Sequence, residues 1–138
     1  MKHALLLLLL IAPFIELTAQ ESIKVDSQKT IVKLNVGDSA DFNSKRIKFI
    51  KVIEDSRCPS DVTCIWAGQA TASIELYEDG ILKEEKELVF GAKAINPNNT
   101  KEVLVTKEKT IYAYTISPYP LSEKPIIQEE YCLELLIK

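Results

Sequence analysis

Between Ala70 and Leu76 the chain alternates strictly. Ala70, Ala72, Ile74 and Leu76 point one way, and Thr71, Ser73 and Glu75 the other. A period of two belongs to a half-buried β-strand, because successive side chains leave opposite faces of a pleated sheet. Glu78-Asp79-Gly80 then gives a tight-turn signal, and Ile81 opens a return strand. A hairpin at this point commits the surrounding chain to antiparallel pairing, which restricts the fold more than any other feature of the sequence.

The flanking segments agree with it. Val32, Leu34 and Val36 alternate with Lys33 and Asn35, and Gly37-Asp38-Ser39 marks a turn. Ile47 to Ile53 is rich in β-branched and aromatic residues, and its pattern changes phase near Phe49-Ile50, which predicts a bulge or two buried faces. The mixed charge run Lys83-Glu84-Glu85-Lys86-Glu87 fits a solvated edge strand, where charge discourages sheet-to-sheet pairing. A short helix or a cation-binding surface are the other readings of that run. Leu88-Val89-Phe90 returns to the core, and Gly91 to Lys101 is a loop by composition that holds the N-glycosylation pattern Asn98-Asn99-Thr100. Val103 and Val105 mark a short strand. Ile111 to Ile116 predicts another, with Tyr112, Tyr114 and Ile116 on one face. Ser117 to Pro125, with three prolines, reads as an extended loop. The last strand carries Ile127, Tyr131, Leu133, Leu135 and Ile137 at odd positions. About seven short strands separated by turn signals predict an all-β antiparallel sandwich of immunoglobulin-like type, or a related barrel.

The first residues predict where such a domain works. Lys2 and His3 precede an apolar run from Ala4 to Ile15, and Leu17-Thr18-Ala19 offers a small residue for cleavage. This is the layout of a secretory signal, and the run is shorter than the roughly 20 residues a bilayer crossing needs. Residues 1–19 are therefore expected to be a signal peptide, with Gln20 the new N-terminus and residues 20–138 a single β-sandwich domain, secreted or periplasmic. No stable membrane insertion is expected after cleavage.

Cleavage would remove the only His and the only Met and leave the net charge of −3 unchanged. A chain without His cannot build a Ser-His-Asp or Cys-His catalytic site. It also lacks the imidazole ligands that catalytic zinc, copper and non-haem iron sites use. The glycines Gly37, Gly68, Gly80 and Gly91 stand singly, without a phosphate loop. Mild acidity without a basic run argues against nucleic acid as a partner. Neither a cofactor nor a metal site is expected. Carboxylates are the remaining chemical resource: Glu54, Asp55, Asp61, Glu129 and Glu130. Two of them at a suitable separation could cleave a glycosidic bond, whereas salt bridges to Arg46 or Arg57 are the plainer assignment.

Cys58 and Cys64 have five residues between them, a spacing that closes readily into a disulfide in an exported protein. The chain-entropy gain for so small a ring is roughly 2 to 2.5 kcal/mol. Trp66, the only Trp, is expected to cover the bridge and anchor the loop, and Gly68 to let the chain turn into the next strand. Three readings compete for this loop: a structural corner, a constrained surface offering Arg57, Ser60, Asp61 and Thr63 (with Tyr119 from the Ser117–Pro125 loop) to a partner, and a cycling redox pair. The last is disfavoured by the absence of Cys-x-x-Cys spacing. Cys132 is the odd thiol, expected to pack under a neighbouring element in a monomer, with a Cys132-linked dimer as the alternative.

The segment Asp55-Ser56-Arg57-Cys58-Pro59, with Val62, Cys64-Ile65-Trp66-Ala67-Gly68 and Ala70, resembles a motif of small exported bacterial proteins of no established function. Ser117-Pro118-Tyr119-Pro120 fits the same pattern. The resemblance implies a secreted all-β domain and carries no activity. The expected function is a non-enzymatic binding or structural module for an unknown protein or glycan ligand. A carboxylate-dependent glycan hydrolase and an inhibitor of a secreted enzyme are the alternatives.

Overall fold

A computed structural model of the chain describes residues 29–91 and 94–138. The expected signal peptide, residues 1–19, and Gln20 lie outside the described residues.

Among the described residues eight strands follow one another: β1 (Thr30–Asn35), β2 (Ser39–Phe42), β3 (Lys45–Asp55), β4 (Gln69–Glu78), β5 (Ile81–Gly91), β6 (Lys101–Val105), β7 (Thr110–Ser117) and β8 (Cys132–Ile137). A 3-10 turn, Gln128–Glu130, precedes β8. The strands form two antiparallel four-stranded sheets, ordered β1-β8-β7-β6 and β2-β3-β4-β5. The expected antiparallel sandwich is thus present. Its strand order is that of two meanders joined at β1–β2 and β5–β6, and differs from the interleaved order of immunoglobulin domains.

The core lies between the sheets. Ile47, Phe49, Ile74 and Leu88 come from one, Ile111, Leu133 and Leu135 from the other, and all seven are fully buried. Burial of a side chain of this size contributes about 1.5–3 kcal/mol. Ala70, Ala72, Ile74 and Leu76 of β4 face inward as their alternation predicts. The β4–β5 hairpin turns through Asp79 and Gly80 at φ 52° and 77°, the double positive φ that matches the right-handed twist of the flanking strands. The pairing of β3 with β4 slips between Phe49 and Lys51 and again between Val52 and Glu54, so the phase change near Phe49-Ile50 is a bulge. The charge run lies on β5, which is an edge strand.

Two expectations about faces need correction. In β7 the register with β8 slips between Ala113 and Thr115. Ile111, Ala113 and Ile116 therefore share the core face, and Tyr112 and Tyr114 sit half-buried on the other. Ile127 does not enter a strand: the 3-10 turn intervenes, and Ile127 is exposed.

Candidate functional site

Three connections meet at one end of the sandwich: β3–β4 (56–68), the described part of β5–β6 (94–100) and β7–β8 (118–131). The first is a long extension of a hairpin. Ser56 N–H donates to Gln69 O at 2.7 Å and Cys58 N–H to Ala67 O at 2.9 Å, so the two arms stay paired beyond the sheet. The Cys58–Cys64 disulfide closes the tip, with the two Cα atoms 5.9 Å apart. Gly68 is required at the neck. Its φ is +67°, and a Cβ there would stand 1.7 Å from the Ser56 carbonyl oxygen.

Arg57 holds this neck to the other sheet. Its Nε and Nη2 donate to the two carboxylate oxygens of Asp55 at 2.8 and 2.7 Å. Nη1 donates to Ile116 O and Nη2 also to Pro118 O, each at 2.9 Å. The guanidinium carbon lies 4.9 Å from the centre of the Tyr119 ring, within cation–π range. Tyr131 Oη completes the set, donating to Asp55 Oδ2 at 3.0 Å. The side chains of Arg57 and Asp55 are only 6% and 8% exposed. Burial pushes the Asp55 carboxyl up, yet the hydrogen bonds and charge of Arg57 outweigh it and hold the group below the usual carboxylate value. Burial, reinforced by the hydrogen bond to Asp55, pushes the Tyr131 hydroxyl up to about 12.

Two further ties fix the same end. Asp61, at the tip of the disulfide ring, accepts from Ser122 N–H at 2.9 Å and from Ser122 Oγ at 2.5 Å, contacts that hold its carboxyl low. Ser60 N–H donates to Pro120 O at 3.0 Å. Farther in, the Gln128 carboxamide pairs with both backbone groups of Val52 at the second bulge of β3, at 3.0 and 2.7 Å. It satisfies backbone groups of β3 that lie beyond the reach of β2, which pairs only with Lys45 to Lys48.

The expected site residues are redistributed by this geometry. Arg57 is no contact residue; it is the buried centre of the clamp. Ser60 and Asp61 are exposed, but the Ser60 backbone N–H and the Asp61 carboxylate are engaged with the 120–122 segment. Thr63 is exposed, and Tyr119 presents 54% of its surface. The Cys58–Cys64 bond and the role of Gly68 stand as expected. Trp66 does not cover the bridge: it is 82% exposed, and its neighbour Ile65 94%. The reason lies in the neck. Cys58 pairs with Ala67, so residues 64–66 lie in the turn beyond the paired arms, and the buried position at the neck is held by Arg57.

No family model matches the chain, and no curated protein or solved structure matches it. The site is therefore read from its own geometry. Sequence reasoning missed Ile65 and Trp66 as a presented apolar pair, and it missed Gln128. No local pattern marks the pair: Ile65 and Trp66 lie in a bend outside any strand, where no periodicity assigns a face.

Chemically the end carries exposed apolar and aromatic groups on a loop tied by the disulfide and by the Arg57 and Asp61 contacts. Asp55 and Asp61, the carboxylates nearest the loop on β3 and within the ring, are committed to internal partners and held in the charged form. Among the described residues no helix is long and apolar enough to cross a membrane.

Proposed function

We propose that the chain is a non-enzymatic binding module that works outside the cytosol as a monomer, and that it meets its partner through the disulfide loop. The observation that carries this reading is the exposure of Ile65 and Trp66 on a loop fixed by a disulfide, a buried ion pair and the Asp61–Ser122 contacts. An exposed Trp beside an exposed Ile is unfavourable in water, and Trp is the residue type most enriched among binding hot spots. A loop already held in one conformation loses little entropy on binding. Tyr119 and Leu121, also exposed, extend the surface across the neighbouring connection.

Of the carboxylates available to a hydrolase, Asp55 and Asp61 are engaged by internal partners that hold them below the ordinary value, the opposite of what a general acid requires. Cys132 is half-buried, and burial together with the Glu134 charge raises its thiol, which makes it a poor nucleophile for joining two chains.

The test is co-sedimentation of the oxidised protein with envelope fragments from the cells that make it. The wild-type protein sediments, and Ile65→Ala/Trp66→Ala stays in the supernatant. Ile81→Ala/Leu82→Ala, which removes an exposed apolar pair at the opposite end, sediments like wild type. Equal sedimentation of all three would overturn the reading.

A further inference from the structure

An open groove of about 560 Å³ runs beside the disulfide loop, with Trp66, Glu54, Ser56 and Gln69 among its lining residues. We propose that this groove binds a neutral oligosaccharide, with Trp66 as the platform for a sugar ring. The inference rests on the binding-module reading above and names the ligand class for that same end of the molecule.

A pyranose offers two kinds of surface. Its C–H groups form a weakly positive apolar face, which packs against the electron-rich face of an indole. Its hydroxyls ring the edge and need both donors and acceptors. The groove supplies both kinds of partner. Trp66 is 82% exposed and stands on its wall. Glu54 and Gln69 provide a planar carboxylate and a planar carboxamide, and a mutual hydrogen bond fixes their orientation: Gln69 Nε2 donates to Glu54 Oε1 at 3.0 Å. Thr71 Oγ1 donates to the same oxygen at 3.1 Å. These bonds occupy one carboxylate oxygen and one amide N–H. Glu54 Oε2, Gln69 Oε1 and the second amide N–H are left for a ligand, two acceptors and a donor already oriented.

Other ligand classes fit less well. The Glu54 carboxylate repels an anionic ligand. An acyl chain requires an enclosed apolar cavity, whereas this groove is open and edged by polar groups. A protein partner would bury Ile65 together with Trp66, since they are adjacent and both exposed. Ile65 does not line the groove. A saccharide therefore depends on Trp66 and not on Ile65, which separates the two classes by experiment.

The chain has one Trp, so its emission reports on this residue alone. The oxidised protein is titrated to millimolar concentration with four neutral tetrasaccharides: cellotetraose, maltotetraose, mannotetraose and the β-1,4-linked tetramer of N-acetylglucosamine. The proposal expects a saturable change in emission with at least one of them, unchanged in Ile65→Ala. In Gln69→Ala the affinity falls about tenfold. Calorimetry expects no binding by Trp66→Ala, and circular dichroism confirms that this variant keeps its strands. Emission unmoved by all four sugars, or equal binding by Trp66→Ala, overturns the proposal. If the sugars fail while envelope sedimentation still needs Ile65 and Trp66, the contact surface stands and its partner is a protein. If sedimentation also ignores both residues, the binding-module reading falls with it.

Discussion

Arg57 is the residue on which the end of the sandwich depends. Its guanidinium is buried with Asp55 and also satisfies two carbonyl oxygens of the β7–β8 side. Truncation would leave the Asp55 carboxylate buried without a counter-ion, which costs about 3–5 kcal/mol. Arg57→Ala is expected to lose that much in urea unfolding, and Arg57→Lys to recover little, since an ammonium cannot make the bidentate contact. The same cluster sets a pH dependence. Asp55 binds protons less readily in the fold than at its ordinary value of 3.8. Its contribution is complete above that value and is lost as pH falls through the lowered one. Tyr131 runs the other way. Its raised value favours the neutral hydroxyl, so its contribution is present below pH 10.0 and is lost as pH rises towards about 12. Urea midpoints measured against pH are expected to show both limbs. Asp55→Asn, less stable at neutral pH, loses much of the acid limb, and Tyr131→Phe much of the alkaline one. At this scale the sequence was only partly legible. The motif from Asp55 to Gly68 is visible as a unit, but which of Arg57 and Trp66 goes inside is not. That depends on carbonyls of Ile116 and Pro118, some sixty positions away, which no local pattern reveals.

Among the elements, those with an unbroken period of two were readable and those with a bulge only in part. β4 alternates without interruption, and its inward face is the one its sequence predicts. β7 also places apolar and aromatic residues along its length, but one bulge at Tyr114 moves Ile116 to the face opposite the tyrosines. A one-residue slip exchanges faces, and single-residue slips leave no strong mark in sequence. β3 betrays its first bulge because Phe49 and Ile50 are both large and adjacent. The second, near Ile53, is supported from outside by Gln128 and was invisible. The charge run on β5 is expected to keep that edge from pairing with other chains. Lys83→Val/Glu85→Val is expected to leave the fold intact and to aggregate, seen as rising light scattering at concentrations where the wild-type protein stays monodisperse. At the neck, Gly68→Ala is expected to unfold the β3–β4 extension, because the new Cβ collides with backbone. Gly80→Ala meets open space and is expected to cost only about 1 kcal/mol for its positive φ. Thermal midpoints of the two variants separate these effects.

For the whole molecule, the sandwich stands on its two-sheet core and the disulfide refines one end of it. Cys58→Ser/Cys64→Ser is expected to remain folded and to lose roughly 2–2.5 kcal/mol, the loop-closure entropy of a small ring, in urea unfolding. The larger consequence is local, since the 58–64 segment would then be held by the Cys58 N–H bond to Ala67 and by its contacts with Pro120 and Ser122, without the covalent closure. Fold class was legible in the sequence because strand periodicity and turn residues act locally. The order of strands was not, because nothing in a strand's own residues names its neighbour. The proposed contact surface requires that Ile65 and Trp66 are displayed by a loop as rigid as the sheets behind it. Nitrogen-15 relaxation of the oxidised protein tests it most directly. The account predicts backbone order parameters for residues 57–68 near those of β3 and β4, roughly 0.85. Values below about 0.6 through that segment would show a mobile loop with no fixed surface to offer, and would contradict it.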